Sequence, residues 1–393
     1  MGCFAKANAS RRHPKLLYDR FADRLMRIVS LFSGCGGFEA GFGELHKTVL
    51  LNDIASSARD VLRERFSNVP LIEDVRNVQP SDITSADTLV AGFPCQDVSI
   101  VGGQRGLAGT RSALVEHVFR LAAATRPSYI ILENVQSIRF VHGGRVLLYL
   151  MYAAEQLGYS WAYRTLDSRA FGLPQRRRRF YFIASRNSDP GEVLLSDAGI
   201  PLPANLLDQS LPVGFYWTEG RSGHGLTADA IPPLKTGSSI GIPSPPAVLF
   251  PDGGVKVPTI ETAERFQGFP EGWTEAAPPR LRWGLVGNAV SVPVVRWISD
   301  QINSPAPWDR KLSSPMPDRP IWPLAAWGDG RGLRLAVNVQ EAPSSLDLGR
   351  ISHGNYSWTD LSDRALSGFV NRARESRLLY PGGFLEHLEA RLR

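Results

Sequence analysis

The stretch that most constrains this chain is Arg27-Ile28-Val29-Ser30-Leu31-Phe32, a short apolar run that breaks at Ser33-Gly34-Cys35-Gly36-Gly37-Phe38. A helix-like segment, Glu39 to Leu45, follows directly. Strand, glycine turn and helix form the first unit of a doubly wound α/β sheet, with the turn's backbone free to approach a ligand. A second apolar run, Thr48 to Leu51, ends in Asn52-Asp53, about twenty residues beyond the turn. A carboxylate there can accept hydrogen bonds from ribose hydroxyls. The adenosyl part of a cofactor is the favoured ligand, and a purely structural turn is the alternative.

The chain repeats this grammar. Ala58, Val61, Leu62, Arg65 and Phe66 recur at helical spacing, and Leu71-Ile72 leads to Glu73-Asp74-Val75. The run Thr88 to Ala91 then delivers Gly92-Phe93-Pro94-Cys95. Ligands of doubly wound sheets lie outside the carboxyl ends of the strands, so topology brings Asp53, Asp74 and Cys95 to one edge. Cys95 stands after Pro94 at the mouth of a glycine-rich loop, Val101 to Gly106, which is a place for a reactive group. A free cysteine acting as a small buried hydrophobe is the alternative.

An amphipathic helix is expected over Arg111 to Ala124, and a buried strand over Tyr129 to Leu132 that stops at Glu133-Asn134-Val135. A carboxyl at the end of a buried strand is a candidate acid, because desolvation favours its protonated form. A helix-capping or solvated glutamate is the other reading. After a helix marked by Val146 to Leu157 and a strand over Tyr159 to Leu166 comes Gln175-Arg176-Arg177-Arg178-Arg179, joined to the apolar run Phe180 to Ala184. Alternate side chains of an extended segment point the same way, so Arg177 and Arg179 can share a face. Guanidinium groups suit carboxylate, carbonyl and phosphate partners.

With 393 residues, 43% of them hydrophobic, the chain has room for two or three folded units and a substantial core. From about Arg186 to Lys256 the composition turns to Pro, Gly and Ser without a helical period, which reads as a second, loop-rich unit. Helical character resumes at Thr259 to Gln267. Trp283 to Val290 reads as a turn leading into a helix over Val292 to Ile302. Cys3, Cys35 and Cys95 are scattered and odd in number, which argues for a reducing compartment. No apolar run is long enough to cross a bilayer, and no cysteine and histidine pairing of metal type occurs, so a cytoplasmic protein without a metal is expected. The net charge of +6 permits a polyanionic partner and equally a basic, soluble surface.

Taken together, Phe32-Ser33-Gly34-Cys35-Gly36-Gly37, Gly92-Phe93-Pro94-Cys95-Gln96, Glu133-Asn134-Val135, Gln175 to Arg179, Arg265-Phe266-Gln267-Gly268-Phe269-Pro270 and Gly287-Asn288-Ala289-Val290 resemble, in order, the blocks of the cytosine carbon-5 DNA methyltransferases of bacterial restriction-modification systems. The resemblance covers 27–185 and about 256–303. It implies a Rossmann-like, S-adenosylmethionine-dependent catalytic domain over 27–185, a smaller, irregular target recognition region over 186–256, and a returning segment over 257–303 that completes the catalytic domain. An N-terminal extension (1–26) and a C-terminal extension of unknown role (304–393) lie outside it. For that extension a packed structural part is favoured over DNA contact by Arg364, Arg372, Arg374 and Arg377.

By position, the resemblance implies that Phe32, Gly34 and Gly36 line S-adenosylmethionine with their backbone. It further implies that Asp53 holds the ribose, Ile54 packs on the adenine, and Asp74 meets the adenine amino group beside Val75. Asn288 and Val290 would complete the cofactor pocket. Cys95 would be the nucleophile, Glu133 would engage the ring nitrogen of a flipped-out cytosine, and Arg177 and Arg179 would orient that glutamate and the base's carbonyl. The implied product is S-adenosylhomocysteine, and the partners are duplex DNA and a candidate cognate restriction endonuclease, with the enzyme acting as a monomer. Methylation of RNA is the alternative. One departure is Thr259-Ile260-Glu261-Thr262, where many relatives carry a proline and charged residues.

Overall fold

The computed structural model describes residues 25–94, 114–205, 208, 210–219, 223, 225–237, 243–317, 322–344, 347–352 and 354–392. Cys95 and the glycine-rich loop after it lie outside the described residues. The first half of the chain runs β1 (Met26–Leu31), α1 (Gly37–Phe42), β2 (His46–Asn52), α2 (Ser56–Arg65), β3 (Leu71–Ile72), β4 (Thr88–Gly92), α3 (Leu114–Thr125) and β5 (Tyr129–Val135). It continues through α4 (Arg145–Gln156), β6 (Ser160–Asp167), β7 (Arg178–Ser185) and the short α5 (Gly191–Leu194). The middle contributes β8 (Val213–Phe215), β9 (Thr227–Ala228), β10 (Ala247–Leu249) and β11 (Val255–Pro258), and the returning segment α6 (Ile260–Gln267), α7 (Pro279–Asn288) and α8 (Val292–Asn303). The C-terminal part adds β12 (Ser313–Pro315), β13 (Ala325–Gly328), β14 (Arg334–Val337), β15 (Trp358–Asp360), α9 (Asp363–Arg374) and α10 (Phe384–Arg391).

A ten-stranded sheet in the order β12-β14-β13-β6-β7-β5-β4-β1-β2-β3 forms the middle layer. Strands β1 to β5 pair in parallel, whereas β7 inserts antiparallel between β5 and β6. Because side chains alternate across a strand, near-continuous apolar runs supply both faces. Val29, Leu31, Leu89, Leu132, Phe180 and Phe182 face one core, shared with α3 and α4. Ile28, Val90, Ile131 and Ile183 face the other, which Phe38 and Phe42 of α1 and Val294, Val295 and Ile298 of α8 cover. The late helix α8 thereby seals the first βα unit from the far end of the sequence.

Residues 279–288 are helical where the sequence reads as a turn. Pro279 opens that helix at a position that needs no N–H donor. The buried side chain of Val286, together with its carbonyl, which accepts from Gln267 Nε2, holds the helix against α6 in spite of its two glycines.

The C-terminal segment divides between two sheets. Strand β13 pairs antiparallel with β6 and carries β14 and β12 outward, extending the main sheet. Strand β15 instead joins a second, five-stranded sheet in the order β15-β11-β10-β8-β9. Its strands are two to four residues long, too short to leave a periodic mark in the sequence. Phe215, Leu249 and Val255 of this sheet share a core with Leu366, Phe369 and Leu388 of α9 and α10. The 186–256 region thus has its hydrophobic core completed by the end of the chain.

Candidate active site and cofactor cleft

The glycine turn is held open at the end of β1 by a lattice of short polar contacts. Ser33 N–H donates to Asn52 O (2.8 Å), Asn52 N–H donates to Ser33 Oγ (3.2 Å), and Phe32 N–H reaches Asn52 Oδ1 (3.3 Å). Asn52 Nδ2 also donates to the carbonyls of Ile72 and Glu73, tying the ends of β1, β2 and β3 together. Phe32 adopts a positive φ of 55° and Gly34 one of 57°. Such backbone is costly for a residue with a side chain and gathers at functional sites. No heavy atom comes within 4 Å of a Cβ built on Gly34, so the turn faces open space.

Three expected cofactor residues stand around that space. Asp53 Oδ2 accepts from Gly34 N–H and Oδ1 from Ala55 N–H, both at 2.8 Å. Burial pushes its carboxyl upward, against these two hydrogen bonds. Ile54, next in the chain, is 65% exposed at the end of β2. Asp74, at the end of β3, caps the turn Val75–Asn77 and chelates Arg76, whose hydrogen bonds hold its carboxyl down to about 2. Val75, by contrast, buries its side chain in the main core, which leaves only its backbone to meet a ligand.

The opposite wall comes from the returning segment. Val290 sits 2.6 Å from a Cβ built on Gly37 and 3.8 Å from one built on Gly92, so it wedges between the glycine turn and the end of β4. Asn288 is exposed at the last position of α7. Trp273 Nε1 donates to Cys35 O (2.6 Å), bracing the turn from above, while its ring stacks on Phe269. The loop that presents Trp273 is organised by the buried Glu264, which accepts from the backbone N–H groups of Gly272, Trp273 and Thr274 and from Arg282. Cys35 itself is buried and its thiol pushed up by desolvation, an inert packing residue.

Glu133 lies on β5 in register with Gly92 of β4, and its Oε2 is 3.8 Å from a Cβ built on Gly92. Burial raises its carboxyl, offset by Arg179 first and Arg177 second. Arg179 Nε stands 3.1 Å from Glu133 Oε1. Next to Glu133, Asn134 Nδ2 donates to Phe93 O (2.8 Å), fixing the path of the chain two residues before Cys95.

The two arginines divide their work. Arg177 precedes β7 and is buried, with its guanidinium donating to the carbonyls of Leu234, Gly287 and Ala289. Arg177 bears electrostatically on both Arg179 and Glu133, and its N–H groups also staple the middle segment to the returning one. Arg176 and Arg178 point the other way, to Asp167 and Glu341. Sequence reasoning also misses the buried amides that draw the separate blocks together. Gln175 donates to Phe266 O and accepts from Leu234 N–H, while Gln267 donates to Val286 O. An amide can do both at once, and the buried backbone groups these two satisfy belong to the middle and returning segments.

Among the described residues, no helix is long and apolar enough to cross a membrane, and no group of three or more His, Cys, Asp or Glu comes together as a metal site would require.

Comparison with known proteins identifies the family. Residues 26–212 match the family model described as C-5 cytosine-specific DNA methylase. The chain is 39% identical over 383 residues to the Type II methyltransferase M2.BsuMI of Bacillus subtilis (strain 168), covering 93% of this chain and 97% of that protein. It is 29% identical over 316 residues to the Type II methyltransferase M.Bsp6I of Bacillus sp. (strain RFL6), covering 71% of this chain and 98% of the relative. Among solved structures, the Entamoeba histolytica methyltransferase EhMeth shares the fold with a TM-score of 0.52 at 16% identity, covering 71% of this chain and 99% of its own. With the Rossmann-like sheet, the blocks in order and a relative matched almost end to end, the chain belongs to the C-5 cytosine-specific DNA methylases and is a DNA cytosine-5-methyltransferase of the Type II restriction-modification kind.

Proposed function

We propose that the protein methylates carbon 5 of a flipped-out cytosine in a specific duplex sequence, through a covalent bond between Cys95 and the base. The observation that carries this reading is the buried Glu133 carboxyl, held by Arg179 at the end of β5, beside Gly92 and across from the open glycine turn. A group that would stabilise charge on a base ring and a cradle for a nucleoside cofactor share one cleft.

The residues present fit S-adenosylmethionine. The open space at Gly34, the exposed apolar surface of Ile54 and the carboxylate of Asp53 suit a ribose and a base, and Val290 closes the far side. Asp74 would accept from the adenine amino group, with Arg76 yielding part of its grip. When bound, this group supplies a methyl carried on a sulfonium. The product left in the cleft is S-adenosylhomocysteine.

Carbon 5 of cytosine is too weak a nucleophile to accept a methyl group unaided. The Cys95 thiolate therefore adds to carbon 6, and the ring electrons move toward carbon 5. Glu133 meets the ring nitrogen as acid or hydrogen-bond donor, which requires a carboxyl that is not fully ionised before the base arrives. Burial of Glu133 favours that form, and Arg179 keeps it aimed. With the methyl group transferred to carbon 5, loss of the proton that carbon 5 still carries expels the Cys95 thiolate and restores the aromatic ring. Since the ring must be reached from both faces, the cytosine leaves the helix at a cost of a few kcal/mol.

Recognition of the target sequence is assigned to the 186–256 region, because base edges must be met by groups that differ between enzymes, whereas lysine and arginine on phosphates give affinity without sequence information. The names of the relatives favour DNA over RNA as substrate. Expression in a methylation-free bacterial host, followed by bisulfite sequencing, tests the function: one recurring motif with a protected cytosine is expected. A genome without protected cytosines would refute it.

A further inference from the structure

We infer that Arg372, in the C-terminal extension, is a positioning residue for target recognition: it holds the turn at Trp217 and Glu219 so that Glu219 and Lys235 face the bases beside the flipped cytosine. The inference rests on the reading of 186–256 as the recognition region. Arg372 lies on α9, and its guanidinium forks onto that turn, Nε donating to Glu219 O (3.0 Å) and Nη2 to Trp217 O (2.8 Å). A planar fork on two carbonyls fixes orientation as well as distance. It also occupies the guanidinium with protein, where a phosphate contact would need it free. Trp217 Nε1 donates to Pro245 O (2.9 Å), so the turn is fastened on its other side as well.

From this turn the contacts run to the catalytic groups. Glu219 forms an ion pair with Lys235, whose ammonium also stands over the Tyr216 ring, 3.5 Å from its centroid. The Tyr216 hydroxyl in turn donates to Pro233 O (2.7 Å). Leu234, the residue before Lys235, gives its carbonyl to Arg177, and the Lys235 backbone lies 2.6 Å from a Cβ built on Gly287. The pair therefore stands one residue from a group that bears on Glu133, yet its side chains remain 32% and 39% exposed. A carboxylate accepts from the amino group of cytosine, and an ammonium donates to the acceptors of guanine. In the free enzyme the two charges neutralise each other; on duplex DNA each has a base edge to meet. Long side chains discriminate bases only if their roots are fixed, and Arg372 fixes the root of Glu219.

Bisulfite sequencing of a methylation-free bacterial host, with each protein expressed at a matched level, reads the motif directly. Arg372→Ala should methylate sites that differ from the wild-type motif, with discrimination at the affected positions falling about tenfold, the scale of one lost base contact. KM for S-adenosylmethionine, measured on the purified protein with tritiated methyl transfer to unmethylated genomic DNA, should be unchanged. Glu219→Gln and Lys235→Met, at partly exposed side chains, should relax the same positions, and they keep the test open should Arg372→Ala not fold. A wild-type motif in Arg372→Ala, or a rate lowered equally at every site, would overturn the positioning role. A wild-type motif in both Glu219→Gln and Lys235→Met would overturn it whatever the fate of Arg372→Ala. A wild-type protein that protects no recurring motif would instead remove the reading beneath it.

Discussion

Glu133 and Arg179 meet across neighbouring antiparallel strands, with Arg179 Nε 3.1 Å from Glu133 Oε1 and both side chains largely buried. The pair balances two opposing demands. Burial drives the carboxyl toward its neutral form, and the guanidinium draws it back. Removing the guanidinium tips that balance. Arg179→Ala is expected to lower kcat by about two orders of magnitude, the scale of losing one aimed electrostatic contact. The Glu133 carboxyl would also stay protonated to higher pH, so the alkaline limb of the pH–rate profile should shift upward; a downward shift would contradict the pairing.

The amide of Gln175 joins the middle and returning segments by bonds to Leu234 N–H and Phe266 O. Gln175→Ala would strand both groups in the core. A loss of about 2 to 3 kcal/mol in unfolding free energy is expected from urea titration, with activity falling at temperatures where the wild type is intact. An unchanged midpoint would show that the segments dock by apolar packing alone.

Phe369 of α9 contacts Phe215 of β8 with ring centroids 4.9 Å apart, inside the core that the end of the chain shares with the second sheet. Phe369→Ala should destabilise that unit by about 3 to 5 kcal/mol. Duplex binding should weaken while S-adenosylmethionine binding, housed in the main sheet, is retained. Equal loss of both would mean that the two sheets unfold as one.

Glu39 of α1 is buried beneath the glycine turn, where the Ser30 hydroxyl only partly offsets the burial of its carboxylate. Desolvation raises its carboxyl to about 7. A folded value above the unfolded one means that the folded state holds the proton more tightly. The stability linked to it is fully present below about pH 4.3, the unfolded value, and is lost as pH rises through 7. Glu39→Gln should abolish this dependence and gain about 1 to 3 kcal/mol over the wild type at pH 8 relative to pH 5. Urea unfolding at the two pH values measures it, and parallel losses in both proteins would refute it.

What is legible in the sequence follows the range of the forces involved. The strand, turn and helix from Met26 to Phe42 and the placement of Glu133 at the end of β5 rest on local apolar runs and glycine chemistry, which a linear reading captures. The hydrogen-bond partners of Arg177 do not. Alternation gives the face, but the partners of Arg177 lie more than fifty residues away, at Leu234, Gly287 and Ala289. Strand β13 is equally hidden. Ala325 to Gly328 is only four residues long; Gly328-Asp329-Gly330 marks the turn into β14, but only the pairing with Trp161 to Arg164 joins this hairpin to the main sheet. The hub of Gln175 and Gln267 shows the same limit, since an amide's sequence context does not reveal which distant backbone groups it will satisfy.

The central claim is a covalent bond between Cys95 and carbon 6 of cytosine. Unmethylated bacterial DNA copied with 5-fluoro-deoxycytidine triphosphate presents every target sequence at once, whatever the motif, and fluorine at carbon 5 cannot leave as a proton does. Incubated with this DNA and S-adenosylmethionine, the enzyme should form a complex that survives denaturing electrophoresis, with peptide mapping placing the nucleotide on Cys95, and Cys95→Ala should form none. Recovery of free enzyme from DNA that contains its methylated motif would contradict the account.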